Sequence, residues 1–377
     1  MLLFLNLLAA LKGRLPSLGW LGLVLWGAMV LPVAAAVEMR VAVELEEDAI
    51  AVGSSTPAHL KDASGQILGK MPAGRSALVN LEGGSLQLEN LRHGTFLLEP
   101  TDGGHVFIDD RWYRGAVLLL PQQGKLLAVN LVDLEAYLYG VIGAEMPSSW
   151  PQEALRAQAV AARSYALYQR ERARGPYDVS NTTASQVYGG LAAENSSIHQ
   201  AVDNTRNQIL TYGGRVIEAV FHASSGGHTE NVEDIWQRPV PYLRAVQDFD
   251  QGAPVYQWNQ ALSQADFQQR LPGLGNLVAA VPERVTPRGR VASMRLQGEQ
   301  GTRVLSGNEI RKALGLRSTL FTIHLLGDQI QIIGRGYGHG IGLSQWGAHN
   351  MALQGHTYQQ ILSHYYQGAT LSQLQIP

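Results

Sequence analysis

No cysteine occurs in the 377 residues, which removes disulfides, thiolate zinc ligands, a cysteine nucleophile and a lipid anchor on cysteine. Charge is also scarce: Asp, Glu, Lys and Arg make up 16% of the chain, against about 25% in an average soluble protein. The 29 basic and 31 acidic residues nearly cancel, to a net charge of −2. No basic field is left to hold a polyanion, so nucleic acid is not expected as a partner. Beyond the N-terminus no apolar run is long enough to cross a bilayer, which argues against a multi-span membrane domain, and no internal repeat is visible. Hydrophobic residues at 45% argue against a disordered chain. Glycine is abundant, with 41 residues where roughly 7% of a chain is usual, so many turns and backbone-rich loops are expected.

Lys12 and Arg14 precede an apolar stretch, Leu15 to Val37, that ends in Ala34, Ala35 and Ala36. Small residues at 34 and 36 fit an A-x-A cleavage site, so residues 1–36 read as a signal peptide cut after Ala36. The same stretch is long enough to span a bilayer as an uncleaved anchor. Either reading places the remainder outside the cytoplasm, in the periplasm or cell wall, touching membrane only through this segment.

The pattern predicts an α+β fold. Residues 37–105 read as a small β-rich module, for Met39, Val41, Val43 and Leu45 alternate with Arg40, Ala42, Glu44 and Glu46. Gly83-Gly84 and Gly103-Gly104 read as hairpin turns. Residues 106–372 read as one mixed domain with a helical hairpin and a β-rich remainder. Leu134, Tyr137, Leu138 and Val141 share one helix face, with Asp133 as N-cap and Gly143 as a C-cap residue ahead of Met146-Pro147. A second helix follows with Pro151 in its first turn, running through Ala154 to Tyr168. A strand over Ile330 to Ile333 and a helix from Tyr358 to Tyr365 close the chain.

Three places carry chemistry. Glu145 sits in the elbow of the hairpin among Ile142, Met146 and Trp150. Desolvation and the helix C-terminus favour its neutral form, as a general acid requires, while capping of the next helix is an equally open role. The run Gly334 to Ala348 holds six glycines and exposes His339, Ser344 and Gln345, without the G-x-x-x-x-G-K-[ST] pattern of a phosphate loop. The run Phe221 to Glu230 supplies Ser224 and Ser225, plus His222 and His228. With His339 the two histidines could offer three nitrogens to zinc, although their spacing matches no standard zinc signature. Ser225 lacks the G-x-S-x-G elbow of a nucleophile.

Taken together, Leu134-Glu135-Ala136-Tyr137-Leu138-Tyr139-Gly140-Val141, Glu145-Met146-Pro147, Trp150-Pro151 and Gln158 through Tyr165 resemble the stage II sporulation protein D family. Ser185 to Gly190, Ser224 to Gly227, the glycine loop and His364-Tyr365-Tyr366 extend the resemblance over about Trp112 to Leu371. It implies a peptidoglycan lytic transglycosylase that cleaves between N-acetylmuramic acid and N-acetylglucosamine, with Glu145 as catalytic acid and base. Ser224, Ser225, His339, Ser344 and Gln345 are the candidate substrate-binding groups. It implies no cofactor, and glycan strands and a cell-wall amidase as partners. Related proteins can carry cysteine and histidine near the His222–His228 loop, a pattern this cysteine-free chain departs from, so no metal is expected. The rival readings are a non-enzymatic amidase enhancer and a metal-dependent amidase built on His222, His228 and His339.

Overall fold

The computed structural model describes residues 37–375 apart from 183, 184 and 237. The segment read as signal peptide or anchor lies outside the described residues. The fold is mixed α+β, and its first third is two antiparallel sheets face to face. One runs in the order Glu38–Glu47, Lys125–Asp133, Ala116–Gln122, Phe96–Pro100, Ala58–Lys61, Ile67–Met71, with Val179–Ser180 added in parallel beside Glu38–Glu47. The other runs Arg111–Tyr113, Val106–Ile108, Ala49–Ser54, Ser76–Glu82, Ser85–Leu88, Leu91–His93. Strands on both sides of residue 105 therefore share both sheets and one core.

Two local details differ from the pattern expected. Met39, Val41 and Val43 bury themselves in the main core, but Leu45 packs on the opposite side with Ala42, Leu127 and Val129. The register against Lys125–Asp133 shifts twice after Ala42, and each such bulge turns the following side chains to the other face. Gly83-Gly84 does join a hairpin, Ser76–Glu82 to Ser85–Leu88. Gly103-Gly104 instead carries the chain from one sheet to the other, because Phe96–Pro100 and Val106–Ile108 belong to different sheets.

Strand Lys125–Asp133 runs straight into helix α1 (Leu134–Glu145), where Asp133 accepts hydrogen bonds from the Glu135 and Ala136 N–H groups. Such a cap contributes about 1 kcal/mol. Pro147 forces Met146 into extended backbone and ends the helix there. Gly143 is therefore inside the helix rather than a cap: a Cβ on it would lie 1.9 Å from the Ala193 carbonyl oxygen. Helix α2 (Gln152–Arg172) follows and starts later than the expected Ser149 or Trp150, so that Pro151 is its N-cap residue rather than part of its first turn.

The hairpin is locked by a pair inside the family-like sequence itself. Arg163, 0% exposed, gives a bidentate pair to Glu135, with Nε to Oε1 at 2.9 Å and Nη2 to Oε2 at 2.7 Å. Its Nη1 also donates to the Gln208 carbonyl at 3.0 Å. The chain continues through α3 (Ser196–Asp203) and α4 (Val232–Trp236).

Residues 257–335 then build a second core of their own, including Trp258, Phe267, Leu296, Ile310 and Ile332. It is made from two three-stranded antiparallel sheets with α5 (Gln264–Arg270) and α6 (Gly307–Leu314). The strand expected at Ile330 to Ile333 spans Gln329–Arg335. From Ile341 onward the chain returns to the main core through α7 (Gln345–Leu353) and α8 (Tyr358–Tyr365).

Candidate active site

Glu145 is the last residue of α1, and its carboxylate does not cap α2, which has no side-chain cap. Oε1 accepts the Val187 backbone N–H at 3.0 Å, and Oε2 accepts the Gln345 side-chain N–H at 3.3 Å. Burial raises the pKa of this carboxyl above the ordinary carboxylate range, and the two hydrogen bonds only partly oppose it. The group is thus biased toward carrying a proton while being held in one orientation.

Gln345 reaches Glu145 from 200 residues away because the glycine loop is stitched to the 221–224 segment. Phe221–His222 and Leu343–Ser344 pair in parallel, and Ser224 and Tyr337 exchange backbone hydrogen bonds at 3.1 and 2.7 Å. Trp150, ahead of α2, packs against Trp346 of α7 with ring centroids 4.7 Å apart. That contact sets the start of α7, and so Gln345, beside the hairpin elbow.

Glu145, Gln345, His339 and His222 line a cavity of about 860 Å³, with Val187, Tyr165, Trp236 and Tyr337 on its walls. Arg311 and Lys312 of α6 contribute positive charge, and Glu218 is a second carboxylate on the wall. Trp236 and Tyr337 are exposed aromatics, 41% and 48% accessible, of the kind against which sugar rings pack. Of these groups only Tyr337 lies in a run singled out by sequence as site-forming. Trp236, Glu218, Arg311 and Lys312 have no local signature.

His339 is not the bare imidazole its glycine neighbours imply. Its Nε2–H donates to the Phe221 carbonyl at 2.9 Å and its Nδ1 accepts from the Ile341 N–H at 3.1 Å. Burial pushes its pKa down to about 4, so at neutral pH it is an uncharged wall with no free nitrogen. His222 lies 5.1 Å away, ring to ring. It gives its Nδ1–H to the Ile341 carbonyl at 3.1 Å, and its Nε2 has no partner among the described residues. Burial holds His222 well below the usual imidazole pKa, so Nε2 is an acceptor.

The serines fall elsewhere. Ser224 and Ser225 are fully buried and donate to Asp250 and Asp248, pinning the 248–250 loop rather than facing the cavity. Ser344 is also buried, and its Oγ caps α7 by accepting the Gly347 N–H at 3.2 Å. All three hydroxyls are spent on the framework, a use that residue type alone does not distinguish from ligand binding. His228 is exposed and lines a different cavity. The three histidines therefore do not converge, and His339 has both nitrogens engaged, so they offer no three-nitrogen metal site. Among the described residues no three His, Asp or Glu side chains gather to hold a metal.

A family profile described as stage II sporulation protein matches residues 122–212. One described as a domain of unknown function matches residues 241–342, which contain the second core. Stage II sporulation protein D of Bacillus subtilis is 36% identical over 265 residues, covering 65% of this chain and 76% of that protein. An uncharacterised protein of Brachyspira hyodysenteriae is 36% identical over 268 residues, covering 69% and 72%. The amidase enhancer of Bacillus subtilis is 30% identical over 356 residues, covering 78% of this chain and 49% of that protein.

Proposed function

Because the chain belongs to the stage II sporulation protein D family, we propose that it is an exported lytic transglycosylase of peptidoglycan with Glu145 as its acid and base. A cell-wall-related role is supported by the relatives, one of them a protein named amidase enhancer. The observation that carries the finer reading is the Glu145 carboxyl on the wall of a glycan-sized cavity, raised in pKa and oriented by Val187 and Gln345.

In this mechanism protonated Glu145 gives its proton to the glycosidic oxygen as the bond to the muramyl anomeric carbon breaks. The resulting carboxylate takes the proton of the muramyl 6-hydroxyl as that oxygen closes on the anomeric carbon, leaving a 1,6-anhydro end. One carboxyl serves both steps, in contrast to the paired carboxylates of most glycosidases. The Val187 and Gln345 N–H groups stabilise the carboxylate formed between them.

Purified glycan incubated with the protein alone should yield anhydromuramyl ends by mass spectrometry, and Glu145→Gln should yield none. Reducing ends instead would assign hydrolysis, with Glu218 as the second carboxylate. Unchanged glycan, together with stimulation of an added wall amidase, would favour the enhancer reading that the 30% identical relative supports. Export is proposed from residues 1–36: fusing residues 1–60 to a reporter active only outside the cytoplasm should give signal, and a stable but silent fusion would refute it.

A further inference from the structure

On the far side of the Gly226-Gly227 turn lies a second, smaller cavity of about 220 Å³, which shares no lining residue with the cavity of Glu145. Its walls include Arg288, Arg290, Arg335, Glu230 and Asp248. We propose that this pocket binds the free carboxylate of a short peptide, a role independent of what Glu145 does.

Arg290 is the central observation. It is 1% exposed, and its guanidinium is wedged beneath the glycine loop, where a Cβ on Gly340 would lie 2.2 Å from Nη2. Nη2 donates to the Ser225 carbonyl at 2.7 Å. Nε stands 3.9 Å from Glu230 Oε1, too far for a hydrogen bond, and Nη1 has no partner among the described residues. A buried guanidinium with an unspent donor is costly unless a ligand meets it.

The surrounding acids do not meet it either. Asp248 is occupied by Ser225, Tyr365 and its neighbour's N–H. Glu230 Oε1 accepts the Thr286 hydroxyl at 2.6 Å, and burial raises the pKa of this carboxyl, which reduces its charge further. Arg288 and Arg335 are exposed on the same walls and form no ion pair with the described residues. Three guanidinium groups thus face two carboxylates of which three oxygens accept hydrogen bonds from elsewhere in the fold, while Glu230 Oε2 has no partner among the described residues. Arginine forks match a carboxylate in geometry as well as charge.

The remainder of the ligand follows from the adjoining groove. An open groove of about 620 Å³ shares Arg288, Leu320 and Arg335 with the pocket, and continues over Trp258, Phe321 and Ile333. Ile333 is a 45% exposed side chain on a central strand. A peptide seated by its terminal carboxylate would lay the preceding residues along this apolar floor, which inorganic anions could not use.

Calorimetric titration with acetyl-D-alanyl-D-alanine, its L,L isomer and the amide of the D,D peptide tests this. Saturable millimolar binding of at least one acid is expected, with the amide at least tenfold weaker. The double variant Arg288→Ala/Arg335→Ala should lose tenfold or more in affinity while its melting temperature and any glycan cleavage stay unchanged. Absence of saturable binding by both acids, equal binding of the amide, or unaltered binding by the double variant would overturn the proposal. A preference for the D,D isomer would assign a wall peptide as the source, and a preference for the L,L isomer a protein C-terminus.

Discussion

Arg163→Met tests the hairpin at its strongest joint. The variant keeps most of the aliphatic bulk but removes four hydrogen bonds: two to Glu135 and one each to the Gln208 and Val202 carbonyls. Glu135, 5% exposed, keeps its Asn207 N–H at 3.2 Å as the remaining donor from outside its own helix. Leaving one partner of such a buried pair uncompensated costs about 3–5 kcal/mol, a fifth or more of the roughly 5–15 kcal/mol total of a typical domain. The companion Glu135→Leu/Arg163→Met removes both charges together and should cost less than the sum of the single changes, with a coupling of about 2–3 kcal/mol. Urea denaturation followed by circular dichroism measures all four corners of the cycle. The functional consequence should follow the structure: α1 carries Glu145 at its far end, so glycan cleavage should fall in the single variant and recover in the double. A loss below about 1 kcal/mol for Arg163→Met, or additive single effects, would refute the reasoning.

Glu145→Gln should leave the fold intact and raise the melting temperature at neutral pH. The raised pKa means that ionising Glu145 opposes folding above that pKa, so the gain should vanish as pH falls below the ordinary carboxylate value of about 4.3; an equal gain at all pH values would contradict this. Gln345→Met removes an N–H that favours the carboxylate form. The alkaline limb of kcat/KM should accordingly move to higher pH, and an unmoved limb would remove Gln345 as a positioning residue. Gly340→Ala, at φ +81° with Arg290 against it, should destabilise by about 2 kcal/mol or more, read by the same urea titration.

What the sequence determined by itself is what short stretches can encode. The α1–α2 hairpin, the Asp133 cap, the stop at Met146-Pro147 and the position of Glu145 in the elbow all depend on residues within one or two turns of each other. The Tyr358–Tyr365 helix was legible for the same reason. Where a distant backbone decided the outcome, local reading stopped. Gly143 is small because Ala193 approaches it, Leu45 changes face because the ladder bulges, and residues 257–335 close on a core of their own. The site divides along the same line. Glu145, His339 and Gln345 were recognisable as polar groups in unusual settings. Their assembly required the 221–222 and 343–344 strands to pair and α7 to dock through Trp346. That packing also committed Ser224, Ser225 and Ser344 to framework bonds, fixed His339 as a neutral tautomer and set His228 in another cavity. A hydroxyl or imidazole bonds whichever partner the fold brings within about 3 Å, and that partner is a property of the packed chain rather than of its neighbours in sequence.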